Sequence, residues 1–303
     1  MQNFSAANVP QLGLVCITAS DAVRYRTTTR KNLLLLTEAQ QAEKLLQLYQ
    51  QNIAVLNRAL DFCSAQGIRL YRISSDVFPF ADTEQGKTVL DTLQADIGET
   101  GDRATALGIR LILHPDQFVV LSSDSPQVVA NSCKILEMHA HTMDLLRQPR
   151  SPWAPLEIHG GKGNRAQPLI AVIQQLPDAI RSRLALENDE YAYSAAEILE
   201  VCQAASVPMV FDAHHHIVHD KLTSYTDPSI HAMIIAARAT WPVPEWQLVH
   251  ISNGRETFAD RRHHDLITDM PPAYRLAPWI EVEAKQKEIA IEKLRTEWLT
   301  SDQ

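Results

Sequence analysis

The stretch SAAEILEVCQAASVPMVFDAHHH (194–216) holds two periodicities side by side. In SAAEILEVCQAA (194–205) apolar residues recur at the spacing of one helical face, and PMVFD (208–212) is a short apolar run closing on a carboxylate. This unit, a longer amphipathic segment feeding a short buried strand, recurs along the chain. Further strand candidates are LGLVCI (12–17), IRLYRI (68–73), IRLILH (109–114), PLEIH (155–159), RLALE (183–187), WQLVHI (246–251) and WIEVEA (279–284). Helical patterns stand between most of them, the longest over 38–66, and KQKEIAIEKLRTEWL (285–299) follows the last.

Eight strands alternating with helices predict an α/β fold, a (β/α)8 TIM barrel, with an open doubly wound sheet as the competitor. No G-x-G-x-x-G follows the first strand and no G-x-x-x-x-G-K-[ST] occurs, so neither the open sheet nor a nucleotide cofactor has its usual fingerprint. The segment ETFADRRHHDLITDMPPAYR (256–275) is expected to be a long loop rather than a helix. No linker or low-complexity seam divides the chain, and residues 1–303 are expected to form one barrel domain with 1–10 as a flexible tail.

Composition narrows the function. The 303 residues are 45% apolar, enough for a full core. No signal-peptide pattern is evident at the start, and the longest aliphatic run is far too short to cross a bilayer. Cys16, Cys63, Cys133 and Cys202 are widely spaced without C-x-x-C, which fits a reducing cytoplasm and argues against a thiolate zinc site. The net charge of −8 counts against a non-specific nucleic-acid coat, though not against an enzyme with a local basic rim.

In a barrel of this type the C-terminal strand ends face the active site. The predicted strands three to eight end in or beside His114, His159, Glu187, Asp212, His250 and Glu283. Any one of these has a plain structural reading, as a hydrogen-bonded histidine or a helix cap. Three carboxylates converging on one mouth, however, would repel one another unless cations compensate. Mixed imidazole and carboxylate donors suit manganese, zinc or iron better than magnesium or calcium. One ion takes only about 4–6 ligands, so more than one metal is expected. Paired metals are the usual device for phosphoester cleavage; a single ion holding a sugar is the competing arrangement.

These residues resemble the UV damage endonucleases, metal-dependent barrels related in fold to endonuclease IV. The similarity runs over almost the whole chain, through LGLVC (12–16), RISSDVFPF (72–80), LHPDQFVVLSS (113–123), EIHGGKGNR (157–165), LALENDE (184–190), VFDAHHH (210–216), VHISN (249–253), RRHHD (261–265) and IEVEAKQKE (280–288). The resemblance implies nicking of UV-damaged double-stranded DNA on the 5′ side of a photolesion, leaving a 3′-hydroxyl and a 5′-phosphate. It implies two or three divalent ions, Mn²⁺ foremost with Zn²⁺ as the alternative, held by His114, His159, Glu187, Asp212, His215, His250, His263 and Glu283. Within that set His114, His159, Glu187 and Glu283 are the expected catalytic residues, and Asp76 is a weaker metal-site candidate. Of the histidine run, only His215 carries over as a ligand; His214 and His216 are expected in packing or beside a ligand, and His219 in a loop.

Gln117 and Phe118 match the pair with which the family probes the lesion, and a planar side chain there can fill a gap in the base stack. Thr18, Arg24, Arg26, Arg30 and Lys162 are expected on the DNA side of the same mouth. The protein is expected to be a monomer that uses no membrane. Two positions depart from the family pattern. Leu248 replaces a lysine two residues before the strand-seven histidine, which bears on metal count and affinity. Thr18 replaces an asparagine, with Leu14 where an aromatic is common. Two other readings stay open: a xylose-isomerase-like sugar isomerase or epimerase, and a lesion- or metal-binding barrel without cleavage.

Overall fold

The structure, a computed structural model, describes residues 9–115 and 119–300. Eight parallel strands close into a barrel in sequence order: β1 (Gln11–Val15), β2 (Leu70–Ile73), β3 (Arg110–Leu113), β4 (Leu156–His159), β5 (Leu184–Glu187), β6 (Met209–Asp212), β7 (Leu248–Ile251) and β8 (Trp279–Val282). The ring shuts where Gln11, Leu12 and Gly13 of β1 pair with Trp279, Ile280 and Glu281 of β8. Four strands, β3, β5, β6 and β7, are buried along their whole length because the outer face meets helices and the inner face fills the lumen.

Helices cover the outside, as the repeating unit predicts. The long one, Glu38–Ala65, opens on a capping box between Thr37 and Gln40, and Ala195–Ala205 opens on a second between Ser194 and Glu197. The segment after β7 has no α-helix, in line with its lack of helical period; only a 3₁₀ turn, Pro272–Leu276, interrupts it. Asn253 organises this loop, its Oδ1 accepting the backbone N–H of Thr268 at 2.6 Å and of Asp269 at 3.0 Å.

The observed strands are shorter than the apolar runs suggest. His114 and Glu283 fall one residue beyond β3 and β8, because the ladder ends as the chain turns toward the mouth. His219 lies in a helix, Ala213–Asp220, and not in a loop. That helix follows β6 without a turn, since Asp212 is both the last strand residue and its N-cap.

Inside the barrel the side chains form layers. At the N-terminal end Arg110 is buried over Trp153, Trp279 and Trp241, with its guanidinium carbon 4.8, 5.2 and 5.8 Å from the ring centres. It donates to the carbonyls of Trp153, Trp246 and Pro152, so the polar head is satisfied although burial lowers its pKa to about 9. Above it Leu70, Ile112, Ala185, Val210 and Leu248 make an apolar floor. The ionisable residues sit on top of that floor.

Candidate metal centre at the mouth of the barrel

Strand register brings the ionisable residues together in pairs. His159 of β4 lies level with Glu187 of β5, and Asp212 of β6 with His250 of β7. Glu187 is the hub. Its Oε2 is 3.2 Å from His114 Nε2 and 3.8 Å from His159 Nε2; its Oε1 is 3.0 Å from His250 Nδ1 and 3.2 Å from His215 Nδ1. Glu283 reaches in from β8, 3.7 Å from His250 Nδ1 and 3.8 Å from His263 Nδ1. A cavity of about 270 Å³ opens here, lined by Arg72, His114, His159, Glu187, Glu190, His215, His263 and Glu283.

Local structure aims several of these groups. His215 Nδ1 is 2.8 Å from the Asn188 carbonyl, a contact that fixes the proton on Nδ1 and turns Nε2 inward toward Glu190 and Asp212. His114 Nδ1 makes the equivalent contact with the Pro115 carbonyl at 2.8 Å. Asp212 Oδ1 caps its helix by accepting the His215 N–H at 2.8 Å, while Oδ2 stays buried without a partner. Glu187 Oε1, His159 Nδ1 and His250 Nδ1 are likewise buried and unpartnered.

The electrostatics are those of crowded, desolvated charges. Burial would raise Glu187, but His250, His159 and the bonded histidines hold it well below the usual carboxylate range. Burial raises Asp212, and it lowers His159 to about 4 against the pull of Glu187. His215 and His250 are the reverse: burial opposes their charge, yet the surrounding carboxylates raise both well above an ordinary imidazole.

Among the described residues three overlapping triplets place donor atoms within 4.8 Å of one another at the mouth: His114, His159 and Glu187; Glu187, Asp212 and His215; Asp212, His250 and Glu283. Glu187 and Asp212 are each shared by two triplets, and a carboxylate has two oxygens to divide between neighbours. Orphaned buried oxygens and imidazole nitrogens in such triplets fit transition-metal ligation.

Of the eight expected ligands, seven belong to these triplets and His263 lines the same cavity. Asp76 does not join them. It is exposed in the 3₁₀ turn after β2 and is not among the lining residues. Thr18 is a correction: it is fully buried, and its Oγ1 accepts the Val23 N–H at 2.9 Å, so it closes the β1 loop from within rather than facing DNA.

Arg24 and Arg26 are exposed on that loop, with Arg24 paired to Asp21, and Arg30 is exposed at the start of the short helix Arg30–Leu33 that follows it. Asn52 pins the loop by bonding both backbone groups of Arg26, and Tyr25 is tied to Tyr71 at 2.8 Å. Lys162 is ion-paired with Asp124 and lines a second cavity of about 500 Å³, which shares His114, His159 and Glu190 with the first. Gln117, Phe118 and residues 1–8 of the expected tail lie outside the described residues. Sequence reasoning missed Arg72, Glu157, Glu190 and Glu281. Arg72 lies 2.7 Å from Glu281 Oε2 and 2.5 Å from Glu283 Oε1. Arg72, Glu157 and Glu281 sit two residues before a strand-end position or at the equivalent level, so the period of two was the available signal.

A closed parallel barrel with imidazoles and carboxylates converging at its C-terminal mouth defines a barrel enzyme. Residues 10–302 match the family model described as UV-endonuclease UvdE, and the chain belongs to that family of endonucleases. It is 58% identical to the UV DNA damage endonuclease of Nostoc sp. over 96% of this chain and 91% of that one. It is 52% identical to the UV DNA damage endonuclease of Deinococcus radiodurans over 95% of each. The crystal structure of SacUVDE superposes with a TM-score of 0.77 at 25% identity, covering 95% of this chain and 98% of that one. Endonuclease IV from Thermus thermophilus shares the fold, with a TM-score of 0.60 at 13% identity over 95% of this chain and 98% of that one. No described helix is long and apolar enough to cross a membrane.

Proposed function

We propose that the protein is a DNA-repair endonuclease that nicks UV-damaged duplex DNA on the 5′ side of the lesion, leaving a 3′-hydroxyl and a 5′-phosphate. The observation that carries this reading is the chain of three overlapping ligand triplets, with shared Glu187 and Asp212, at the floor of an open mouth. It is supported by the activity for which the relatives at 58% and 52% identity are named.

The triplets would hold two or three divalent ions, with Mn²⁺ the expected metal. Such ions make a hydroxide nucleophile available near neutral pH and neutralise charge on the leaving oxygen. The chain's own residues orient and compensate. His114 and His215 keep their protons directed at backbone carbonyls, so that the opposite nitrogens face inward. Arg72, at the edge of the same cavity, supplies a fixed positive charge that a phosphodiester can approach.

The rim supports a role in holding DNA. Arg24 and Arg26 on the loop after β1, Arg30 in the short helix that follows it, and Lys162 beside the second cavity are exposed or cavity-lining cations that would contact phosphates. The second cavity has apolar walls from Val119, Val120, Ile158 and Ala192, suited to a base drawn out of the stack. Gln117 and Phe118 are the proposed lesion probe, and the nearest described residues on either side of them, Pro115 and Val119, line that cavity. We take the enzyme to be a single-domain cytoplasmic monomer.

A duplex carrying one cyclobutane dimer, end-labelled on the damaged strand and incubated with Mn²⁺, tests the cut. A single product ending immediately 5′ of the dimer, extendable by a polymerase, is expected. A product cut 3′ of the lesion, or one that a polymerase cannot extend, contradicts the assignment.

A further inference from the structure

Beneath the mouth lies a second group of buried ionisable side chains that shares only His250 with the metal triplets. Glu157, His250 and Glu281 are each 0% exposed, and their donor atoms lie within 4.8 Å of one another. Register sets this up: β7 and β8 pair His250 directly with Glu281, and Glu157 stands on β4 two residues before His159. His250 Nε2 is 2.9 Å from Glu281 Oε2 and 3.4 Å from Glu157 Oε2. Its other nitrogen, Nδ1, faces upward to Glu187 and Glu283. Both imidazole nitrogens, both Glu157 oxygens and Glu281 Oε1 are buried without a hydrogen-bond partner.

These atoms constrain one another. An imidazole that gives one nitrogen to a metal keeps its proton on the other, and a buried N–H needs an acceptor. The acceptors within reach of Nε2 are the carboxylates of Glu281 and Glu157, because the layer below is the apolar floor of Leu70, Ile112, Ala185, Val210 and Leu248. A cation placed among the three instead would compete with Arg72, whose guanidinium already lies 2.7 Å from Glu281 Oε2. It would also require His250 to bind through both nitrogens at once.

We propose, resting on the metal-centre reading above, that Glu281, braced by Arg72, and Glu157 are positioning residues of the metal centre. They take the His250 Nε2–H and thereby present Nδ1 as a ligand. The two carboxylates also bring negative charge under a cluster of divalent ions.

Mn²⁺ binding to the full-length wild-type protein, E281Q and E157Q, counted and titrated by electron paramagnetic resonance, tests it. Loss of such a hydrogen-bonding carboxylate should weaken metal affinity by about 10–100-fold while leaving the number of ions unchanged. A second readout is the histidine N–H resonance of the Zn²⁺-loaded protein, labelled at histidine nitrogen. A strongly deshielded Nε2–H signal assigned to His250 should be present in the wild type and shifted toward ordinary values in E281Q. Because both variants keep the shape of the side chain, either can report if the other fails to fold. Unchanged affinity in both variants overturns the inference, as does the loss of one bound ion, which would mean a cation in the lumen. A wild-type protein that takes up no Mn²⁺ would sink the metal-centre reading itself.

Discussion

Glu187 touches four histidines with two oxygens, and no other described residue of the mouth is shared in this way. The substitution E187Q keeps the volume and removes the charge, so damage-dependent nicking should fall at least about 100-fold, more than for loss of a residue that merely supports a ligand. Loss should appear in kcat measured at saturating Mn²⁺, and lesion binding by gel shift should persist. Full activity in E187Q would remove the hub from the proposed chemistry. On the proposed function Asp212 would combine two roles in one carboxylate, helix cap and metal ligand. D212N retains an acceptor for the His215 N–H, a good N-cap, so stability to urea should change by less than about 1 kcal/mol while nicking is lost. A large loss of stability with activity retained would reverse the assignment.

At the scale of elements, the proposed function makes the β1 loop the place where the acidic molecule would meet a polyanion. Its backbone is fixed by Asn52 and Tyr25, leaving Arg24, Arg26 and Arg30 exposed. Replacing all three with alanine should weaken DNA binding uniformly across sequences. It should also flatten the salt dependence by about 0.9 in log–log slope for each phosphate no longer neutralised. An unchanged slope would take the loop out of the interface.

Elements were also the level at which the sequence was most legible. PMVFD and RLALE announce buried parallel strands because both of their faces are covered, and their last residues, Asp212 and Glu187, lie where the barrel rule puts them. Glu157 and Glu281 lie one inward-facing position deeper than that rule looks. Glu190 stands in the loop after β5, where no periodicity operates. The burial of Thr18 and the stacking of Arg261 over Tyr191, 4.3 Å from the ring centre, depend on contacts between distant segments that local pattern does not encode.

For the whole molecule, the buried histidines set a pH profile for the metal-free protein. Burial lowers His139 to about 3 and His159 to about 4, against about 6.5 in an unfolded chain. Between pH ~6.5 and ~4 the unfolded state therefore binds protons that the native state does not, and stability falls as pH falls. For the 2% exposed His139 alone the slope approaches about 1.4 kcal/mol per pH unit. His215 and His250 act in the other window. Their raised pKa values give stability that is complete below about pH 6.5 and is lost as pH rises through the folded value. Thermal melts in EDTA should peak near pH ~6.5, and Mn²⁺ should remove the alkaline decline because it binds the neutral imidazoles. A flat melting temperature across the acid and alkaline windows would contradict these environments.

On the function proposed above, the converging imidazoles and carboxylates hold metal for cleavage of damaged DNA. Supercoiled plasmid, UV-irradiated or untreated, incubated with the protein and either Mn²⁺ or EDTA, tests it most directly. Conversion to the nicked circle with Mn²⁺ on the irradiated plasmid alone is the predicted result. Nicking that survives EDTA, or equal nicking of untreated plasmid, would contradict it.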